Sequence, residues 1–317
     1  MIHALALTGP TASGKTALSL ALSKKLNCEI ICCDSMQIYK GMDIGTAKAT
    51  EEERAAAPHH MLDIIEPDAD FSAQAYKEMA LECAEKISKR GKTPLFVGGT
   101  GLYLTTLMRS DVDDVPKSDE RYRKKIEQTL KTQEDKINLW KRLSEIDPVS
   151  AELIHYNNTR RVIRAIEIYD ATGKPKSYFD ELSRLPSKDI SVNHVTLDFH
   201  DRENLYKRAD LRVDEMIKCG LEGEVDKLLS AGYLQEHTTA AQAIGYKEII
   251  AAKKCGAPIA DAISEIKQAT RNYAKRQLTW FRHDLTAKRI FADDESGKMK
   301  THGEILCQCL NAFETNK

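Results

Sequence analysis

The eight residues Gly9-Pro10-Thr11-Ala12-Ser13-Gly14-Lys15-Thr16 constrain this chain more than any other stretch. They fit the pattern G-x-x-x-x-G-K-[ST]. An apolar run at 2–7 precedes them, and Leu18, Ala21, Leu22 and Leu26 follow at helical spacing. Strand, loop and helix in that order let successive backbone N–H groups curl around an anion, with the positive end of the helix behind them. Lys15 brings a full charge, and the Thr16 hydroxyl is a ligand for Mg²⁺ accompanying a phosphate. Residues 9–16 are therefore expected to grip a di- or triphosphate.

Such a loop belongs to a parallel sheet, and residues 1–110 alternate accordingly. Residues 29–33 read as a second strand ending at Asp34-Ser35, 62–65 as a short third, and 93–97 as another. Ala73–Lys89 reads as an amphipathic helix, capped by Ser72 ahead of Ala75, Met79, Cys83 and Ile87. Character changes near Asp111. The segment 111–116 reads as a linker, and 117–185 as helical, rich in Lys, Arg and Glu, with no strand runs. A strand returns at 192–199, followed by helix to about residue 285; from Asp293 onward no signal is readable. The expected architecture is α/β: a P-loop NTPase-like parallel sheet core flanked by helices, formed by 1–113 and 190–317, with a small all-helical insertion domain at 114–189.

The 317 residues are 42% hydrophobic and 30% charged, the balance of an ordinary soluble globular protein. No apolar run approaches the ~18 residues of a membrane span, and the N-terminus lacks the basic region of a signal peptide. The eight cysteines are scattered, with no C-x-x-C pair, which points to reduced thiols and a cytoplasmic enzyme. A net charge of −1 argues against a globally basic nucleic-acid coat. Residues 1–116 are net acidic, however, and 117–189 net basic, so the middle piece suits a local polyanion contact.

Several further stretches carry chemistry. Asp34-Ser35-Met36-Gln37 follows a strand at the sheet edge where ligands bind, so Asp34 is a candidate metal-side carboxylate, general base or helix cap. Gly98-Gly99-Thr100-Gly101 closes another strand at that edge, with one hydroxyl among glycines that allow close backbone approach. Arg160-Arg161-Val162-Ile163-Arg164 places Arg160 and Arg164 one helical turn apart, with Val162 and Ile163 on the other side; such a cluster is a solvated face or a phosphate contact. Arg208 and Arg212 share a helix face and are spaced to clamp a diphosphate or to pair with neighbouring carboxylates. Lys275-Arg276-Gln277-Leu278-Thr279-Trp280-Phe281-Arg282 interleaves base and aromatic, as RNA backbone contact with base stacking requires; a buried helix end with basic flanks reads equally well.

Taken together, GPTASGKT, DSMQIY, GMDIGTAK, PHHMLDI, VGGTGLY, RRVIRAIE, QAIGYKE and KRQLTWFR closely resemble the bacterial tRNA dimethylallyltransferases, also called tRNA isopentenyltransferases. The resemblance implies transfer of a dimethylallyl group from dimethylallyl diphosphate to N6 of the adenosine 3′ to a tRNA anticodon, with Mg²⁺ as cofactor. Carried across position by position, it makes Asp34 the base and Thr100 the hydroxyl at the oxygen between C1 and the diphosphate. Gly9 through Thr16 and Arg212 hold the diphosphate, and Thr16 ligates the metal. The tRNA contacts it implies are Asp34, Ser35, Met36, Gln37, Thr100, Arg123, residues 160–164, Gln242-Ala243-Ile244-Gly245-Tyr246-Lys247 and residues 275–282. It further implies a cytoplasmic monomer, an insertion that closes over the anticodon stem, and a target base flipped from its stack.

Other readings make different demands. A P-loop kinase for a small molecule has no use for KRQLTWFR. An NTP-driven RNA switch leaves no covalent product. A prenyltransferase acting on free adenylate gives 160–164, 242–247 and 275–282 nothing to hold.

Overall fold

The apolar run ahead of the phosphate loop becomes strand β1 (Ile2–Thr8) at the middle of the sheet. The structure, a computed structural model, describes residues 1–111, 115–116, 119–236, 238–284 and 286–314. Beyond the loop, helix α1 (Lys15–Leu26) leads into β2 (Cys28–Cys32), α2 (Glu51–Ala56) and β3 (His59–His60). Then come α3 (Ala73–Lys89), β4 (Thr93–Gly98) and α4 (Gly101–Met108). A second compact unit, 109–188, contains α5 (Glu120–Glu127), α6 (Gln133–Ile146), α7 (Pro148–Leu153), α8 (Thr159–Thr172) and α9 (Lys176–Leu182). The first unit resumes with β5 (Ile190–Asp198), α10 (Arg202–Lys218), α11 (Leu221–Ser230), α12 (Tyr246–Cys255) and α13 (Ile259–Arg282). It ends with β6 (Lys288–Phe291) and α14 (His302–Glu314).

The six strands are all parallel, in the order β3-β2-β4-β1-β5-β6. Apolar residues on both sides of each inner strand let helices cover both faces. On one face Leu7, Ile30, Leu95 and Val195 pack with Leu18 and Leu22 of α1 and Ile305 and Cys309 of α14. On the other, Ala6, Ile31 and Phe96 meet Tyr76, Ala80 and Ala84 of α3 and Leu104 of α4. A third cluster joins Ile38, Tyr39 and Met42 to Val213, Leu221, Tyr246 and Ile266, seating α10–α13 beside the carboxyl edge of the sheet. In the 109–188 unit, Leu143, Ala151, Ile154, Val162, Ala165 and Ile166 form a separate small core.

Helix α3 spans the expected residues, and the Ser72 hydroxyl accepts the Ala75 N–H as its cap. The short third strand lies at 59–60 instead of 62–65. Met61 and Asp63 take left-handed backbone conformations (φ 62° and 55°), which break an extended run there. Edge strand β6, which pairs with β5, falls between the expected helix and the tail and was not anticipated; the unreadable tail itself supplies helix α14, which packs through Ile305, Cys309, Ala312 and Phe313. Of the expected linker at 111–116, residues 112–114 lie outside the described residues, as do 117 and 118 of the expected helical stretch.

Beneath the PHH stretch, the Glu29 carboxylate is 3% exposed and meets His60 Nε2 at 2.7 Å, Arg90 Nη2 at 2.6 Å and Lys92 Nζ at 3.0 Å. Burial alone would raise its pKa, but hydrogen bonds from His60, Lys92 and Arg90 hold it down at about 2. Its stabilising contribution is therefore complete above the ordinary carboxylate pKa and is lost as pH falls from about 4.5 toward 2. Glu29→Gln is expected to cost about 2 kcal/mol, less than a fully buried pair because Arg90 and Lys92 stay half exposed. Urea denaturation at pH 7 and pH 3 checks this; the variant should lose most of its deficit at the lower pH.

Candidate active site

Three strand ends of the first unit converge on one cavity of about 720 Å³. At the end of β1 the backbone turns through φ 145° at Gly9, 61° at Ala12 and 94° at Gly14. Gly14 is the left-handed residue ahead of α1, a conformation that costs other residues about 1 kcal/mol or more. The Lys15 ammonium donates to the carbonyls of Gly9 (3.0 Å) and Pro10 (2.7 Å), the Ser13 hydroxyl is buried without a partner, and Thr16 is exposed in the first turn of α1.

Beyond β2, Asp34 Oδ1 accepts the Met36 N–H at 2.9 Å, so the carboxylate fixes its own turn. The Ser35 N–H donates to Thr100 Oγ1 at 3.0 Å, which joins the loop after β2 to the one after β4. That junction requires glycine at 98, where a Cβ would lie 1.9 Å from the Cys33 carbonyl oxygen.

Two helices complete the walls. From α10, Arg208 Nε donates to the Ala12 carbonyl at 2.7 Å and Arg212 Nη2 to the Thr46 carbonyl at 3.2 Å. From α13, Gln277 accepts the Thr11 N–H at 2.8 Å and donates to the Gly99 carbonyl at 2.9 Å, tying the phosphate loop to the loop after β4. Burial and the nearby Arg212 charge push the Lys15 pKa down to about 7, against the opposing pull of Asp34. Burial also lowers Arg212. Two cations thus stand close together in a half-enclosed space, facing a carboxylate: an arrangement that an anionic ligand relieves.

The cavity lining unites Thr11, Ala12, Gly14, Lys15, Thr16, Asp34, Ser35, Met36, Gln37, Arg212, Gln242, Ala243, Ile244, Lys247, Arg276 and Gln277. Thr100 stands behind Ser35. Gln37 donates to the carbonyls of Thr46 and Ala47. Tyr246 is fully buried, its hydroxyl donating to Glu224, whose carboxylate also takes the N–H groups of Asp43, Ile44 and Gly45. A second, shallower groove of about 470 Å³ is lined by Asn272, Lys275, Arg276, Thr279, Trp280 and His283.

Several residues expected at an RNA surface are largely buried, Ala243 and Gln277 among them at the cavity wall. Val162 and Ile163 are each 1% exposed, and Leu278 and Phe281 each 3%; Ala243, Tyr246 and Gln277 are also buried. Each sits on the inward side of an element whose outward side carries Arg160 and Arg161, Gln242 and Lys247, or Lys275, Arg276, Thr279 and Trp280. Arg282 gives its guanidinium to buried Asp198 (2.6 and 2.9 Å) and the Phe199 carbonyl. Within the 109–188 unit, Arg123 and Arg164 both pair with Glu167, at 3.0 and 2.7 Å.

Sequence reasoning missed Tyr273. It lines the cavity one turn before Gln277 and within hydrogen-bonding reach of Thr100; burial and the Asp34 charge raise its pKa. Counting back four residues from Gln277 along a helix finds it.

A phosphate loop, paired cations and a facing carboxylate on a parallel sheet define a P-loop α/β protein built to hold an anionic ligand. The chain belongs to the IPP transferase family, whose model matches residues 37–284. It is 44% identical to a tRNA dimethylallyltransferase of Thermoanaerobacter sp. (strain X514) over 294 residues, covering 92% of this chain and 93% of the relative. A Caldanaerobacter subterraneus protein of the same name is 41% identical over 309 residues, covering 96% and 95%. Among solved structures, a tRNA delta(2)-isopentenylpyrophosphate transferase from Staphylococcus epidermidis aligns over 100% of both chains, with TM-score 0.71 and 37% identity. A eukaryotic dimethylallyltransferase described as acting on tRNA covers 100% of this chain and 80% of its own, with TM-score 0.80 and 30% identity.

Proposed function

We propose that this chain transfers a dimethylallyl group from dimethylallyl diphosphate to N6 of the adenosine 3′ to the anticodon in tRNA. The observation that carries the reading is the placement of Lys15 and Arg212 in one cavity with Asp34, whose turn is linked through Ser35 to Thr100. Ionising an allylic C1–O bond needs a leaving diphosphate held by dense positive charge, the role of residues 9–16 and Arg212. The adenine amine is a weak nucleophile because its lone pair is delocalised into the ring. Asp34 accepts a hydrogen bond from N6 and takes its proton as the C1–N bond forms and the C1–O electron pair leaves on diphosphate. Thr100 orients the oxygen between C1 and the diphosphate.

Among the described residues no group of three His, Cys, Asp or Glu side chains could enclose a metal. Mg²⁺ fits this donor set, because it retains waters and rests on one protein oxygen plus substrate phosphates. The exposed Thr16 hydroxyl would supply that oxygen. Bound there, Mg²⁺ would neutralise charge on the leaving diphosphate.

No helix among the described residues is long and apolar enough to cross a membrane. A cytoplasmic monomer is the form this reading assumes. The exposed basic and aromatic groups at 160–161, 247, 275–276 and 280 and the exposed amide of Gln242 are its tRNA contacts, together with Ser35, Met36 and Gln37. Lys275→Ala should weaken tRNA binding severalfold and flatten the salt dependence by about one unit of slope, leaving dimethylallyl diphosphate affinity unchanged. Filter binding at three salt concentrations measures both effects.

Purified protein with Mg²⁺ and labelled dimethylallyl diphosphate, offered unmodified tRNA and AMP in parallel, tests the whole reading. Label in tRNA alone is expected. Label in AMP moves the acceptor to free nucleotides. ATP turnover with no label in either overturns the reading in favour of an ATP-using kinase or switch.

A further inference from the structure

The cavity changes character along its length. Its lining from α10 runs Arg208, Arg212, Met216, residues four apart and so on one helix face. Its lining from α13 runs Gln277, Tyr273, Thr270, Ile266, again one face. Arg271 pairs with Asp210 at 2.6 Å and Lys267 with Asp214 at 2.7 Å, so the two helices lie antiparallel and these faces are in register. At the end bound to the phosphate loop stand Arg208 and Gln277. One helical turn beyond Arg212, about 6 Å along the axis, Met216 reaches the level of Ile266. Ile244 lines the cavity too, and all three belong to one apolar cluster with Val213.

An allylic diphosphate is amphipathic in the same sense, with a charged head and a hydrocarbon tail. With its head at Lys15 and Arg212, its tail extends toward the apolar end. Resting on the prenyl-transfer reading above, we propose that Met216, backed by Ile266 and Ile244, closes the hydrocarbon end of the cavity and sets the length of prenyl chain accepted. Methionine suits that task, since a flexible thioether fills the space behind a branched methyl terminus without a rigid fit. The bonds made and broken at C1 are the same for a longer chain; what changes is whether the second isoprene unit finds room.

The test compares kcat/KM for dimethylallyl and geranyl diphosphates at saturating tRNA, in the parent protein and in Met216→Ala. The parent should favour dimethylallyl diphosphate. Met216→Ala should raise the geranyl-to-dimethylallyl ratio at least about tenfold, the scale on which an apolar pocket discriminates by size, with the KM for tRNA within twofold of the parent. Met216→Val, a smaller truncation at the same position, is expected to raise the ratio in the same direction and replaces Met216→Ala if that variant melts early. Dimethylallyl transfer with an unmoved ratio overturns the proposal while leaving the function standing. A raised KM for tRNA with an unmoved ratio also overturns it and assigns the apolar end to the acceptor. No transfer from dimethylallyl diphosphate by the parent overturns the proposal and the function together.

Discussion

Asp34→Asn is expected to lower kcat about 10²-fold or more while tRNA affinity stays within threefold of the parent. The amide keeps the size of the side chain and can still accept the Met36 N–H that holds the turn at 2.9 Å. What it cannot do is take a proton from N6 as the C1–N bond forms. Single-turnover kinetics with prebound tRNA isolates that step. Turnover within threefold of the parent would remove Asp34 from the role of base.

Lys15→Met should separate binding from stability in opposite directions. In the free protein the Lys15 ammonium is crowded by burial and by Arg212, the causes that bring its pKa to about 7. Removing it relieves that repulsion, so the melting temperature of the free protein should stay at or above the parent's. Affinity for inorganic diphosphate should fall about 10³-fold, roughly 4 kcal/mol. Calorimetric titration and a thermal melt on the same preparation read both quantities. A joint fall in stability and affinity would mean that Lys15 braces the loop through the Gly9 and Pro10 carbonyls more than it serves a ligand.

The parallel sheet was legible because its evidence is local. A strand, a glycine-bearing loop and an amphipathic helix are each defined by residues close in sequence, and α3 was readable down to its Ser72 cap. The third strand was misplaced because its neighbours Met61 and Asp63 adopt left-handed conformations that side chains seldom announce. Edge strand β6 and helix α14 escaped notice because what fixes them is packing against β5 and α1 from far along the chain.

The candidate site divides the same way. Lys15, Asp34 and Thr100 could be chosen from their positions at strand ends. The work of Gln277 and Glu224 could not, since each joins segments distant in sequence: Gln277 to residues 11 and 99, Glu224 to residues 43–45. A motif shows that a residue type is needed; it does not show which neighbour needs it. Tyr246, implied by the resemblance as an RNA contact, is a buried brace, while Gln277 braces two loops from the wall of the cavity. Asp198 is the same lesson in reverse, an unremarked strand residue that occupies Arg282.

Helix α13 faces two ways. Gln277 clasps Thr11 and Gly99 on its inner side, while Lys275, Arg276 and Trp280 stand outward on the same two turns. If prenyl diphosphate on the inner side and tRNA on the outer side bias the same displacement of this helix, thermodynamic reciprocity fixes the terms: the factor by which prenyl diphosphate tightens tRNA equals the factor by which tRNA tightens prenyl diphosphate.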